Sequence, residues 1–227
     1  MSPHDRTLTR RIDGSLMKTS FLLLVALLLF AVQAGATNLI QNGSFQTNDF
    51  TDWTIGTTSN GTWGSGYPVV TGWPLGGMNA AQGEVGELTL DGTYQGGTLM
   101  QSFVSGAGVA AFSLMYAAMG DGTHNNADGG DFRLILDGIT LADFDVGAIN
   151  ATQIISGTLT ANTVLTAGTH TLEIDVLRHF VSSQANTPYQ YVTGVDVEGT
   201  VPEPSTLALI GTGALSLLCV LRRKLGS

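Results

Sequence analysis

Residues 172–177 read Leu172-Glu173-Ile174-Asp175-Val176-Leu177, and this alternation of apolar and acidic side chains decides the fold class. Successive side chains of a β-strand point to opposite faces of the sheet. Leu172, Ile174 and Val176 are therefore predicted to point into a core, and Glu173 and Asp175 to face water. The stretch predicts a strand of an antiparallel sheet that is buried on one side.

A hairpin is the next feature outward from this strand. Residues 132–136 read Phe-Arg-Leu-Ile-Leu, and Asp137-Gly138 separates them from Ile139-Thr140-Leu141. Asp-Gly between two strand-like runs is typical of a two-residue type I′ turn, because both positions tolerate a positive φ. We predict two antiparallel strands joined at Asp137-Gly138.

The rest of the segment from Thr37 to Thr200 shows the same pattern. No window of eleven residues there sustains an apolar stripe at helical spacing, and Gly and Asn separate short alternating runs. Eight or more short strands at such spacing predict a mainly β fold, an antiparallel β-sandwich of low helical content. The predicted strands are 85–90, 98–103, 110–119, 132–136, 139–144, 153–160, 169–180 and 189–197.

The charge of this segment excludes some partners. The 227-residue chain has a formal charge of -9, but residues 37–200 hold eleven Asp and four Glu against two Arg and no Lys, a formal charge of -13. General binding to nucleic acid needs clustered Lys and Arg, so we expect no nucleic-acid partner. About 164 residues is enough for one domain with its own core.

The N-terminal residues have the pattern of a secretory signal peptide. Basic residues precede the apolar run 21–32, and Ala34-Gly35-Ala36 follows it. Twelve residues make a helix of roughly 18 Å, too short for a hydrocarbon core of about 30 Å. We predict a signal peptide over residues 1–36 that signal peptidase removes after Ala36, with Ala34 as the alternative, and Met17 is an alternative start of the chain.

The C-terminal residues have the pattern of a second targeting segment. Pro202-Glu203-Pro204 ends the folded part, because two prolines prevent regular strand pairing. The run 205–221 is predicted to form a single transmembrane helix at the short limit for a span. Arg222, Arg223 and Lys224 follow it and favour a cytoplasmic C-terminus, which leaves the domain outside the inner membrane.

This tail resembles the PEP-CTERM sorting signal of envelope and secreted proteins of Gram-negative bacteria. The resemblance covers residues 201–224 and rests on Pro202-Glu203-Pro204, the apolar run and the basic end. It implies recognition by an exosortase, cleavage near the sorting motif, and release or transfer to the cell surface, commonly in species that make exopolysaccharide. We therefore expect a chain that is anchored transiently and then sorted to the surface or the extracellular matrix.

Parts of the domain resemble jelly-roll modules of the galactose-binding-like and carbohydrate-binding kind. The similar stretches are 38–45 with Asp52-Trp53, the hairpin 131–138, and 191–197 as the closing strand. In such modules an acidic residue after the first stretch and paired Asp in the closing strand hold a structural calcium. This chain has Gln46 and Thr193-Gly194 there. The resemblance thus implies the fold but not that metal site, and Trp53 resembles a core residue.

The densest polar segment is a loop at residues 120–131, which contains Asp121, Asn125, Asp128 and Asp131. Calcium takes six to eight oxygen ligands, so these four residues are candidate calcium ligands. The alternatives are a solvated loop between two strands and the rim of a ligand cleft, since sandwich modules often bind at one end.

Aromatic residues offer a second binding chemistry. Trp63, Tyr67 and Trp73 are candidate sugar-stacking residues because sugars pack their apolar faces on aromatic rings. Ordinary packing under a long loop is the alternative for these three residues.

Catalytic motifs are missing from the sequence. His124, His170 and His179 have no metal-ligand spacing and are interpreted as surface or edge residues. Fifteen acids allow the facing carboxylates of a glycosidase, but the sequence selects no pair. We expect a non-catalytic, surface-sorted protein that binds a glycan or matrix, with calcium as a possible cofactor. A structural or adhesive envelope protein is the alternative, and a glycoside hydrolase is the least supported.

Overall fold

The structure is a computed structural model that describes residues 37–182 and 186–200. These residues form thirteen β-strands. In chain order the strands are β1 Thr37–Asn38, β2 Thr54–Thr57, β3 Gly61–Thr62, β4 Val69–Gly72, β5 Asn79–Gly83, β6 Gly86–Glu87, β7 Gln95–Ser105, β8 Gly108–Met119, β9 Asp131–Leu136, β10 Ile139–Asp145, β11 Ile154–Leu165, β12 Gly168–Arg178 and β13 Tyr189–Gly199.

The strands form two large antiparallel sheets. Sheet A has the order β11-β8-β13-β5-β4, and β1 also pairs with β13. Sheet B has the order β10-β9-β12-β7-β2, and β3 with β6 makes a separate small pair. The prediction of an antiparallel β-sandwich is confirmed. Within the described residues no helix is long and apolar enough to cross a membrane.

The core lies between the sheets and is built by alternate residues of the long strands. Leu172, Ile174 and Val176 of β12 are buried, as are Phe132 and Leu134 of β9. Rows of inward apolar side chains from both sheets thus fill one core, as expected for a sandwich. Trp53 is also buried and stacks on Phe45 with ring centroids 5.9 Å apart, which confirms its predicted core role.

The hairpin at Asp137-Gly138 forms as predicted. Asp137 has a φ of 49° and Gly138 a φ of 80°, and Leu136 pairs directly with Ile139. Both central residues therefore occupy the left-handed region that a type I′ turn requires.

The strand predictions succeed best where the alternation is long. Seven of the eight predicted segments lie mainly in strands β7 to β13, whereas only Gly86–Glu87 of the segment 85–90 is paired. The alternation of apolar and polar residues does not predict β1 to β5. These strands have two to five residues each, too few to show a clear period.

The prediction that Asp175 faces water is wrong. Asp175 points away from the core, but its exposed fraction is only 8%, because Arg133 of β9 and Thr98 of β7 flank it in the sheet. Burial, followed by the neighbouring Glu173, raises the pKa of Asp175 to about 7.

Candidate functional site

Four strands of sheet B have one of their ends at the same end of the sandwich. The register aligns Asp145 of β10 with Asp131 of β9, Asp131 with Leu177 of β12, and Leu177 with Gly96 of β7. The segments that precede β7 and β9 and the segments that follow β10 and β12 therefore come together, although they are far apart in the chain. Loops at one end of a rigid sandwich are a common place for binding residues.

A cavity of about 240 Å³ lies among these segments, and we refer to it as the Tyr94 pocket. Its lining residues share an origin in the strand-end segments: Tyr94, Ala127, Asp128, Asp145, Gly147, His179 and Phe180. The lining combines aromatic rings with carboxylates, the usual composition of a small-ligand site.

Tyr94 is fixed on one side of the pocket by a stacked ring and a hydrogen bond. Its ring lies parallel to the His179 ring, with centroids 4.6 Å apart and planes 3° apart. Its hydroxyl donates to Asp145 Oδ2 at 3.1 Å, and the Arg133 guanidinium lies 6.0 Å from its ring centroid. Burial, followed by the bond to Asp145, raises the pKa of Tyr94 to about 12, so the hydroxyl stays protonated and remains a donor at neutral pH.

Carboxylates make the pocket acidic. Burial raises the pKa of Asp128 and of Asp131, and the nearby Asp145 raises both further. Opposing this, Asp128 accepts backbone N–H bonds, and Asp131 Oδ2 accepts two bonds from Arg133, at 2.8 and 2.5 Å. Asp131 Oδ1 is buried and has no hydrogen-bond partner.

Buried polar side chains hold the loop 120–131 that forms one wall. Arg178, 2% exposed, donates from Nε to the Asp128 carbonyl oxygen and from Nη2 to Asn126 Oδ1, each at 3.0 Å. Gln190 donates from Nε2 to the Gly129 carbonyl at 2.9 Å. Since a buried backbone carbonyl needs a partner, these two side chains fix the path of a loop that is rich in glycine.

The four candidate calcium ligands do not share one centre. Asp121 Oδ1 accepts the backbone N–H groups of Thr123 and His124, and Asn125 Oδ1 accepts the N–H of Ala151. Asp128 accepts the N–H groups of Gly130 and His179, while Asp131 binds Arg133. Among the described residues, no three His, Cys, Asp or Glu side chains converge to hold a metal ion. Calcium binding by these residues stays a prediction without a preformed ligand set.

The positions of the structural calcium in the resembled modules have other surroundings here. Gln46 and Gly194 line an open cavity of about 360 Å³ that Asp196 also lines. Thr193 is buried and donates its hydroxyl to the Asn79 carbonyl at 2.5 Å. Thr193 thus ties β13 to β5 in place of a carboxylate.

The three candidate sugar-stacking residues lie in different environments. Trp63 is 3% exposed in the main core, and Trp73 is 5% exposed in a second apolar cluster with Tyr191. Two buried rings present no free face to a sugar, so packing is the role that the structure gives them. Tyr67 is partly exposed and donates its hydroxyl to Glu84 Oε1 at 3.2 Å.

Tyr67 and Trp73 nevertheless lie near a common set of tyrosines. Trp73 packs edge-on against Tyr191, with centroids 6.4 Å apart. Burial, and then the neighbouring Glu84 and Tyr189, raises the pKa of Tyr67 to about 12. The pKa of Tyr191 is also raised to about 12, by burial and then by the neighbouring Tyr189 and Tyr67. Trp63 is not part of this group.

The histidines are only partly as predicted. His124 is exposed and His179 partly exposed, but His170 is 8% exposed and is not a surface residue. His170 Nδ1 lies 2.7 Å from Asp137 Oδ2, and its Nε2 lies 3.0 Å from the Thr166 carbonyl oxygen. His179 Nε2 contacts the Gly92 carbonyl oxygen, and the His179 ring stacks on the Tyr94 ring.

The sequence pattern assigns no binding role to four residues of the Tyr94 pocket: Tyr94, Asp145, His179 and Phe180. Each lies at a strand end and none belongs to a motif. The sequence does not show that β7, β9, β10 and β12 pair with one another. This pairing places their ends together at one end of the sandwich. The sequence did suggest the loop 120–131 as the rim of a cleft, and Asp128 lies in both.

The sorting residues Pro202, Glu203 and Pro204, the signal peptide 1–36 and the predicted helix 205–221 lie outside the described residues. Residues 200–224 match the PEP-CTERM protein-sorting motif. The match supports the resemblance of the tail and indicates a secreted, surface-sorted protein. The search of curated proteins found no match to this sequence.

Several solved structures have a similar arrangement of strands. TmCBM61 in complex with β-1,4-galactotriose has a TM-score of 0.42 and 14% identity over 71% of this chain and 98% of its own. The CBM22-1 xylan-binding domain of Paenibacillus barcinonensis Xyn10C has a TM-score of 0.41 and 12% identity over 74% of this chain and 98% of its own. A sugar-binding protein from Bacteroides thetaiotaomicron, named as putative, has a TM-score of 0.43 and 10% identity over 72% and 100%.

Proposed function

We propose that this chain is a surface-sorted, non-catalytic protein that binds a glycan in the Tyr94 pocket. The match of residues 200–224 to the sorting motif supports processing by an exosortase and delivery to the cell surface. Exopolysaccharide is the glycan that such a protein would meet there. The observation that carries the binding function is the Tyr94 ring, which is fixed by His179 beside the carboxylate of Asp145.

This pair of groups suits the chemistry of sugars. A pyranose ring offers an apolar face to an aromatic ring and hydroxyl donors to a carboxylate. The remaining lone pairs of Asp145 can accept those donors, because Tyr94 occupies one site on Oδ2 and the backbone N–H of Gly147 one site on Oδ1. The stack and the hydrogen bond hold Tyr94 in place before a ligand arrives, which reduces the entropy lost on binding.

The size and charge of the pocket limit the sugar. At about 240 Å³ the cavity is smaller than typical sites for drug-sized ligands, which begin near about 300 Å³, so we expect one sugar ring or one chain end to enter. Arg133 is paired with Asp131, whereas Asp145 forms no ion pair within residues 37–182 and 186–200, so the Asp145 carboxylate disfavours uronic acids and sulfated sugars. The proposed ligands of the Tyr94 pocket are therefore neutral or amino sugars.

The test uses residues 37–200, which contain both sheets and the core. A glycan array should show binding to neutral or amino sugars and none to polyuronates. Replacing Tyr94 by Ala should weaken binding at least tenfold, about 1.4 kcal/mol, and Tyr94→Phe should retain the part that comes from stacking. Tyr189→Ala is the matched control, since Tyr189 is also a partly exposed tyrosine but lies outside the pocket.

Two results would reject this proposal. One is an array without any bound glycan. The other is binding that Tyr94→Ala and Tyr189→Ala reduce equally. In either case the alternative, a structural or adhesive envelope protein without a specific small ligand, becomes the better account.

A hydrolase remains the least supported function. The pocket brings the carboxylates of Asp128 and Asp145 together, but both oxygens of Asp128 accept backbone N–H groups, from Gly130 at 2.8 Å and His179 at 2.6 Å. Each Asp128 oxygen thus anchors a backbone group of the pocket wall, which gives Asp128 a structural role that does not depend on catalysis. Turnover of chromogenic glycosides that Asp145→Asn abolishes would reverse this ranking.

A further inference from the structure

Strand β11 forms an edge of sheet A. Among the described residues it pairs with β8 alone, through a continuous register of twelve residues from Ile154↔Met119 to Leu165↔Gly108. An edge strand directs half of its backbone N–H and C=O groups away from the sheet, and another strand can pair with them. β11 therefore offers backbone donors and acceptors on the side away from β8, and β10 of sheet B also lies near it.

The charge distribution sets this edge apart. Residues 146–169 contain no Asp, Glu, Lys, Arg or His, whereas residues 37–200 as a whole have a formal charge of -13. β11 lies inside this uncharged stretch. Proteins usually protect exposed edges with charges, prolines, bulges or short strands.

The other edge strands of the two sheets, β10, β2 and β4, have such protective features. β10, at the edge of sheet B, ends in Asp143 and Asp145, and its pairing with β9 shifts between Thr140 and Ala142. β2 and β4 have only four residues each, and Pro68 directly precedes β4. β11 has none of these features, since it is long, regular, uncharged and without proline.

The exposed side chains of β11 form an uncharged face beside the free edge. Its exposed residues are the even-numbered ones: Ile154, Ser156, Thr158, Thr160, Asn162 and Val164. Val164 is 74% and Ile154 38% exposed. Threonine, valine and isoleucine favour strand pairing, so this sequence is suited to a further strand beside it.

We propose that β11 pairs antiparallel with β11 of a second copy of this chain, which joins two A sheets into one continuous sheet. A second copy is an occupant that the charge distribution permits at this edge, because the same uncharged strand faces itself there. Two molecules of the same negative charge repel each other, and they can approach most closely where both are uncharged. A two-fold axis beside the middle of β11 places the uncharged edge against itself, and an antiparallel pair uses the free backbone groups of both strands.

The association is independent of glycan binding and can be tested separately. Sedimentation velocity of residues 37–200, measured over a wide range of concentrations, should show a monomer that converts to a dimer as the concentration rises. Thr160→Lys places a charge near its own copy across the axis, because Thr160 lies near the middle of β11. We expect it to weaken association at least tenfold, whereas the uncharged variant Thr160→Val should still form the dimer.

Thr140→Lys is the matched control. It makes the same substitution at an exposed threonine of the other long edge strand, β10, and changes the net charge equally. Circular dichroism should show unchanged folding for all three variants. The proposal is overturned if the wild-type protein stays monomeric at every concentration, or if Thr160→Lys and Thr140→Lys associate to the same extent. If Thr160→Lys loses association but keeps the glycan binding that depends on Tyr94, association and glycan binding are independent of each other.

Discussion

At the scale of single residues, Trp63 shows how a predicted binding ring becomes a core residue. Its indole packs against one glycine from each sheet: a Cβ built on Gly97 of β7 would be 2.0 Å from Trp63 Cε2, and one built on Gly83 of β5 would be 2.5 Å from Cε3. The indole Nε1 donates to the Gly56 carbonyl at 2.9 Å. The ring is buried because three separate segments leave room for it, which a single glycine-rich segment does not indicate.

The pair formed by His170 and Asp137 predicts a dependence of stability on pH. The bonds from His170 to Asp137 and then to the Thr166 carbonyl raise the pKa of His170. A raised pKa stabilises the fold below the ordinary value near 6.5, and this gain is lost as the pH rises through the folded-state pKa. The pKa of Asp137 is lowered, although burial opposes it, by the bonds from His170 and the Thr171 N–H. That gain is lost as the pH falls below about 4.

We therefore expect His170→Gln to lose more stability at a pH of about 5.5 than at a pH well above 7. Urea unfolding at the two pH values measures the difference. Asp137→Asn should produce a similar change, and the double variant should add little, because the two side chains act as one pair. An equal loss at both pH values would show that the protonated ring does not contribute.

At the scale of elements, the long strands follow from period-two alternation, and β8, β11, β12 and β13 each have eleven or twelve residues. The short strands β1 to β5 do not follow from it. Their pairing depends on the longer strands beside them, as with β2, which adds to β7 at Thr54↔Met100. Local pattern thus predicts an element when its own length shows the period, and tertiary contacts decide the rest.

The type I′ turn gives a prediction at this scale. Gly138 has a φ of 80°, and a Cβ added there meets no atom within 4 Å. Gly138→Ala should therefore cost only the strain of a positive φ, about 1–2 kcal/mol, without a clash. Thermal unfolding should show a fall of a few degrees, since about 1 kcal/mol changes the Tm of a domain of this size by about 2–4 °C.

Gly72→Ala is the control for this substitution. Gly72 also has open space around its added Cβ but no positive φ. Its substitution should leave the Tm nearly unchanged. An equal effect at both glycines would contradict the role of the turn conformation.

At the scale of the whole molecule, the tail gives a prediction about sorting. The match of residues 200–224 to the sorting motif supports processing by an exosortase, and we expect the cleavage near Pro202-Glu203-Pro204. Replacing these three residues by Ala should leave the chain in the membrane fraction, because the apolar run 205–221 then stays attached. Immunoblots of membrane, surface and medium fractions measure this outcome.

The control replaces three residues of the exposed segment at Thr47, Asn48 and Asp49 by Ala, a change of equal size within the domain. It should leave sorting unchanged. Release of the Pro202-Glu203-Pro204 variant at the wild-type rate would show that the motif does not direct processing.

The sequence by itself determined the fold class, the hairpin at Asp137-Gly138, the acidic charge and the sorting tail. Each of these depends on residues that are neighbours in the chain. Only the tertiary structure decided that Asp175 and His170 are buried, that Trp63 and Trp73 pack inside, and that Tyr94, Asp128, Asp145 and His179 surround one pocket. The physical reason is that burial and site geometry depend on which strands pair, and strands that are distant in sequence pair through contacts that no local pattern records.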